Sequence, residues 1–302
     1  MRFGIITMQR ESLVPVGVSQ EEALTYIATL DHADLARQLH SHGFDPIELS
    51  GDMALFLPQS YTPPTIERLV RLKRGSGLNY TVHLPLWSVE PSTPLSSVRQ
   101  GSVRAVIDTI LRTLCLEPEV YVLHATGALA AEFYQMDLPD LAKALILRQF
   151  QRNANESLRT ILTETGIPSR KLAIETIEFP FDLTLELAER QDLSICLDTG
   201  HVLAGFSGPI GLAEALERSL PRLAEIHLHD GPWQGPDHKI GYGQDHKPLG
   251  AGDLDVADFM DRLVDARFEG PIIFELTVQE ALASLEVIRS IRPEVLAPAN
   301  AQ

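Results

Sequence analysis

Cysteine is scarce: only Cys115 and Cys196 occur in 302 residues. Both lie inside apolar runs and read as buried, reduced thiols, which argues against a disulfide-stapled secreted fold. No apolar run reaches the roughly 18 residues of a membrane span. The start, M-R-F-G-I-I-T-M-Q-R, lacks a long apolar stretch followed by a small-residue cleavage site. A cytoplasmic protein with no membrane partner is expected. Basic residues are also few, 25 Lys and Arg against 41 Asp and Glu, for a net charge of −16. That balance argues against a nucleic-acid partner, because phosphate binding needs a basic face. It leaves room for a local basic pocket. The acidity either aids solubility or is partly offset by a bound cation. Low-complexity segments and obvious linkers are missing as well.

What the chain does have is alternation. Short apolar strands are expected at Arg2–Met8, Pro46–Leu49, Tyr80–Leu84, Val120–His124, Lys171–Glu175, Leu193–Asp198, Leu223–His229 and Pro271–Leu276. Helical spacing fills the gaps: Ser19–His42, Ile66–Lys73, Val98–Leu116, Leu138–Thr165 with one possible break, Phe181–Arg190, Ile210–Leu220, Val256–Ala266 and Val278–Ile291. Eight strands, each followed by a helix, predict an α/β fold, a single-domain (β/α)8 TIM barrel over residues 1–292, with a tail at 293–302.

Active sites of such barrels form where the strands run out, so the strand ends carry the functional signal. They supply His83, His124, Glu175, Asp198 with His201, the run His227, His229 and Asp230, and Glu275. The Gly-rich loop from Gly231 to Gly252 adds His238, Asp245 and His246. Of ten histidines, only His32, His40 and His42 fall elsewhere, in the early helix. Imidazoles and carboxylates together are the ligand set for Zn2+, Mn2+ or Fe2+. An acid ending an apolar strand, as at Glu175 and Glu275, is costly unless paired. Gly200 is expected to turn the chain sharply after Asp198. Strand alternation points His227 and His229 the same way, with the deeper His227 the better ligand. His229 and Asp230, nearer the rim, suit substrate contact or support of the ligands. Trp87 and Trp233 are candidate stacking surfaces for a planar or ring substrate, or loop packing. Lys247 and Lys239 are candidate phosphate contacts.

The ordered motifs H-x-P, V-L-H, I-E, L-D-T-G-H, I-H-L-H-D, D-H-K-P-L-G-A-G-D-L-D and F-E resemble the xylose isomerase-like barrel superfamily, which includes the AP endonuclease family 2 enzymes. The resemblance implies a four-ligand metal centre at Glu175, Asp198, His227 and Glu275. It implies a further metal at His83 and His124, bridged by Glu175, and a third held partly by His201 and His246. The family pattern Asp-x-His would put the remaining ligand at Gln244, where this chain instead carries Asp245 next to the histidine. Within the superfamily, I-E-T-I-E-F-P-F, C-L-D-T-G-H-V-L and D-H-K-P-L look most like the cobamide-remodelling phosphodiesterases.

Two enzymatic functions are expected, both with a small-molecule substrate, phosphorylated in the first. In hydrolysis of a phosphodiester, two or three divalent ions would activate a water and stabilise the leaving oxygen. In sugar or sugar-phosphate isomerisation or epimerisation, one ion would suffice, and Glu175 and Glu275 would exchange a carbon-bound proton. His201 is either a ligand of another metal or a substrate contact. The presence of His83, His124 and His246 favours hydrolysis. A barrel that binds a ligand without turnover is the third reading.

Overall fold

The structure, a computed structural model, describes residues 1–9, 17–235 and 240–296. Eight strands close into one ring: β1 (Arg2–Ile6), β2 (Ile47–Ser50), β3 (Tyr80–His83), β4 (Tyr121–Leu123), β5 (Leu172–Glu175), β6 (Ser194–Asp198), β7 (Leu223–His227) and β8 (Pro271–Phe274). Every pairing is parallel, and β1 shuts the barrel against β8 through Arg2 to Ile5 beside Pro271 to Phe274. This is the (β/α)8 barrel that the alternation predicts.

Strand alternation sorts the side chains into two layers. Leu49, Val82, Leu172, Ile174, Ile195 and Leu197 belong to the main core, together with Leu69, Ile110, Phe150, Leu187 and Phe259 from the surrounding helices. Val120, Val122, Ala173 and Cys196 form a separate small cluster. These four alternate with the outward set, so they line the barrel lumen. Continuing the same parity along each strand brings His124, Glu175 and Asp198 to the mouth, above these four.

Local chemistry shifts several expected boundaries. The early helix is two helices, Gln20–Thr29 and His32–Ser41, because Asp31 caps the second by accepting the Ala33 and Asp34 amides. Asp140–Thr165 is unbroken and stops at Gly166, whose φ of 67° suits a left-handed cap. A helix at Ala128–Gln135 precedes it in what reads as loop. Cys196 is buried, but Cys115 is exposed; it falls in the turn after the helix Ser96–Thr113. Pro293–Leu296 form a short turn, and Val295 and Leu296 pack on the core. No described helix is long and apolar enough to cross a membrane.

Candidate metal centre

The mouth is organised by the end of β6. Asp198 closes the strand and caps the helix Thr199–Leu203, its Oδ1 accepting the His201 amide at 2.7 Å. That leaves Oδ2 free to face inward and sets His201 about one turn above it. Gly200 lies inside this helix, so it does not supply the sharp turn expected of it. Its value is space: a Cβ there would stand 1.8 Å from the Asp245 carbonyl oxygen. The missing side chain lets the loop that carries Asp245 rest on the helix.

Three carboxylates converge on His227 Nδ1. Glu175 Oε1 lies 3.5 Å away, Glu275 Oε2 3.7 Å and Asp198 Oδ2 3.8 Å. Ligand atoms about 2.1 Å from one ion in a tetrahedral shell stand roughly 3.4 Å apart, so the spacing matches a shared cation. His201 Nδ1 adjoins the group, 3.0 Å from Glu175 Oε1 and 3.5 Å from Asp198 Oδ2.

Two further clusters flank this one. On one side, His83 Nε2 and His124 Nε2 lie 3.1 and 3.0 Å from Glu175 Oε2, so the two oxygens of Glu175 serve different groups. His83 Nδ1 sits 2.9 Å from the Leu84 carbonyl, which only accepts, so Nδ1 carries a proton. In a neutral ring, Nε2 then presents its lone pair to the carboxylate, which is repulsive unless a cation intervenes. Glu178, with an unusual φ of 57°, stands 3.9 Å behind His124 Nδ1. On the other side, Asp245 Oδ2 is 3.5 Å from His201 Nε2 and 3.0 Å from His246 Nδ1. The carboxylate displaced by one residue from the family pattern therefore reaches the same pair of histidines, while Gln244 is exposed.

The electrostatics describe a site short of positive charge. Burial opposes protonation of His124, yet Glu175 and Glu178 push it up to about 10. Burial likewise opposes His201, which Asp198, Asp245 and Glu175 push up to about 9. Burial favours protonated Glu175 and Glu275, but the surrounding imidazoles hold both below the usual carboxylate range. Glu175 Oε1, Asp198 Oδ2, His201 Nδ1 and His227 Nδ1 are buried, and none makes a hydrogen bond among the described residues. Buried polar atoms without partners are expensive. Divalent cations would satisfy all four and let the histidines stay neutral, as ligands must be. The residues therefore fit the metal ions that the ligand chemistry implies.

Several expected contacts fall elsewhere. Asp230 is fully buried, and its carboxylate accepts the amides of Gly231, Gly250 and Leu254, so it anchors the loop. His229 is equally buried. Its Nε2 takes the Glu275 amide at 2.9 Å, and its Nδ1 lies 3.2 Å from Asp198 Oδ2, so it supports two members of the central group. Lys247 pairs with Asp230 through the backbone, and its Nζ points to the Gly243 carbonyl. Trp87, 58 % exposed, lines the mouth with Leu86, Met8 and Ile177 around a cavity of about 290 Å³. Trp233 lines a different groove, with Leu203, Leu212 and Phe259. His238 and Lys239 lie outside the described residues. Two lumen carboxylates, Glu48 and Glu225, escape a search of strand ends, although Glu225 shares the alternation of His227 and His229. Burial, and then the charge of Glu48, push the Glu225 carboxyl well above its usual range.

A family model described as xylose isomerase-like TIM barrel matches residues 36–292. An uncharacterized protein of Methanocaldococcus jannaschii is 21% identical over 266 residues, covering 83% of this chain and 82% of its own length. Among solved structures, a D-tagatose 3-epimerase-like protein superposes with a TM-score of 0.70 at 19% identity, covering 98% of both chains. Endonuclease IV from Thermus thermophilus superposes with a TM-score of 0.63 at 20% identity, covering 97% of this chain and all of the other (100%). At these identities the structural likeness is one of fold.

Proposed function

The chain belongs to the xylose isomerase-like TIM barrel family, and on that premise we propose that it hydrolyses a phosphodiester in a small molecule, using two or three divalent metal ions at the barrel mouth. Zn2+, Mn2+ and Fe2+ all suit the ligands, and a cobamide-type diester is the candidate substrate that the sequence resemblance favours. The observation that carries the reading is the sharing of Glu175. Its Oε2 faces His83 and His124 while its Oε1 faces His201 and His227. A one-metal isomerase has no need of the outer clusters.

When bound, the ions would lower the pKa of a coordinated water and offset charge on the phosphate. The protein's own part is to hold and orient. Asp198 is fixed by its role as helix cap, and Glu275 by the His246 ring 3.0 Å away. Asp245 links His201 to His246. Met8, Leu86, Ile177 and Trp87 give the mouth an apolar rim that keeps bulk water from the reacting phosphate. Among the described residues, the cavity wall contains no lysine or arginine, so neutralising a phosphate falls to the metal ions.

The test is a metal count by anomalous scattering on crystals, paired with assays on cobamides and model diesters. Two or three ions and diester cleavage are expected. One tightly bound ion with no cleavage would sink the reading. In that case sugar isomerisation or epimerisation through Glu175 and Glu275 takes its place. Epimerase-like folds among the structural neighbours support that second reading, and solvent deuterium appearing at a substrate carbon would establish it.

A further inference from the structure

Beneath the mouth, the lumen holds a second group of ionisable residues that no step above uses. Glu48 of β2 and Glu225 of β7 are fully buried, as is Thr81 of β3, whose hydroxyl donates to Glu48 Oε2 at 3.2 Å. Glu48 Oε1, both Glu225 carboxylate oxygens and His227 Nε2 have no hydrogen-bond partner among the described residues. His227 Nε2 lies 3.5 Å from Glu48 Oε2 and 4.0 Å from Glu225 Oε1. The pair is too deep to meet a substrate. Among the described residues, it meets the central group at His227, whose other nitrogen faces Glu175, Asp198 and Glu275.

We infer that Glu48 and Glu225 are positioning residues for His227: they hold the proton on Nε2 and so turn the Nδ1 lone pair toward the central metal site. A neutral imidazole carries one proton, and Nε2, beside the Glu48 carboxylate oxygen 3.5 Å away, keeps it. The opposite tautomer would press the Nε2 lone pair against that oxygen and leave Nδ1 unable to ligate. A carboxylate behind a ligating histidine also makes the ring a stronger ligand. The inference rests on the central metal site, and it holds for hydrolysis and isomerisation alike.

The test compares the full-length wild type with the double variant Glu48→Met, Glu225→Met. Replacing a buried ionisable pair by apolar side chains of similar volume is often neutral or stabilising, so the variant is expected to keep or raise its Tm. Zn2+ affinities would be read by competition with a chromophoric chelator after metal stripping, and the His227 tautomer by ring-nitrogen NMR on the metal-free protein at a pH high enough to leave the ring neutral. The expected result is one Zn2+ weakened by about 10- to 100-fold, the other affinities kept, and the Nε2–H tautomer lost. Unchanged affinities with an unchanged tautomer would reduce the pair to core filling. Loss of one whole Zn2+ equivalent with the rest unaltered would make the pair a cation site in its own right and overturn the inference. If the double variant fails to fold, Glu48→Gln removes the charge at constant volume and is read the same way. A wild type that binds no Zn2+ would sink the proposed function, while the metal-free ring spectrum still decides the inference.

Discussion

Two regions of this barrel bury imidazoles completely, and they treat them in opposite ways. Behind β1 and β2, His32 lies against Tyr61, with Nε2 2.9 Å from the Thr7 hydroxyl and Nδ1 3.4 Å from the Ser60 carbonyl. Burial wins there and pulls its pKa down to about 4. At the mouth His124 is buried as well, yet carboxylates outweigh burial and push it up to about 10. The His32 pocket has its hydrogen bonds made, whereas the mouth leaves His201 and His227 with nitrogens unmatched. Burial alone therefore does not mark a site. A surplus of carboxylate with unpartnered ligand atoms does.

Breaking the surplus at its centre should have the largest effect. Glu175→Gln keeps the volume but removes the charge that both sides of the mouth share. Turnover is expected to fall by at least about 10³-fold, the upper range for losing one group that stabilises charge in a transition state, with bound metal lost in elemental analysis. An unchanged rate would mean the mouth is not the active site. The paired change His83→Ala, His124→Ala should cost one metal equivalent and about 10²- to 10³-fold in diester hydrolysis, and leave the central ion in place. If metal count and rate both survive, the outer cluster is not part of the reaction.

The His32 side of the comparison predicts a pH effect on stability. Its folded pKa lies below its unfolded value, so the unfolded chain binds the proton more readily. Stability is full above about pH 6.5 and is lost as pH falls from there toward 4, by about 3 kcal/mol at most. Denaturant midpoints of the metal-free protein across this range, against His32→Asn, should show a flatter profile in the variant. Equal profiles would contradict the assignment. Gly200→Ala is a milder disturbance. Its new methyl meets the Asp245 carbonyl, so about 1–3 kcal/mol of overpacking is expected. Weaker Zn2+ binding should accompany it if the displaced loop carries Asp245 and His246 outward.

The strand ends were the legible part of the site, because period-two alternation and a costly terminal acid are local signals. The same alternation puts Glu225, two residues before His227, on the lumen side below the mouth. Glu48 hides in the short run I-E-L-S, where nothing local separates a lumen-facing acid from one on an exposed edge. Other misses came from tertiary placement. Asp230 reads as a rim residue, yet its neighbour's amide and two from the returning chain consume it. Trp233 reads, like Trp87, as a stacking surface or loop packing, but faces another groove. The split at Asp31 was written in capping chemistry, while helical periodicity simply ran through it. Asp245 stands one position off the family pattern, and only the loop's path over Gly200 shows that it still reaches His201.

The backbone exchange between Asp230 and Lys247 has a consequence beyond local order. Asp230 donates its amide to the Lys247 carbonyl at 2.8 Å and receives the Lys247 amide at 3.0 Å. The chain leaves the barrel rim and returns to it through this clasp, and His246 stands directly inside it. The place of His246 at the mouth is thus set by the path of the backbone as well as by its side-chain partners, much as a hinge pin fixes where a door meets its frame.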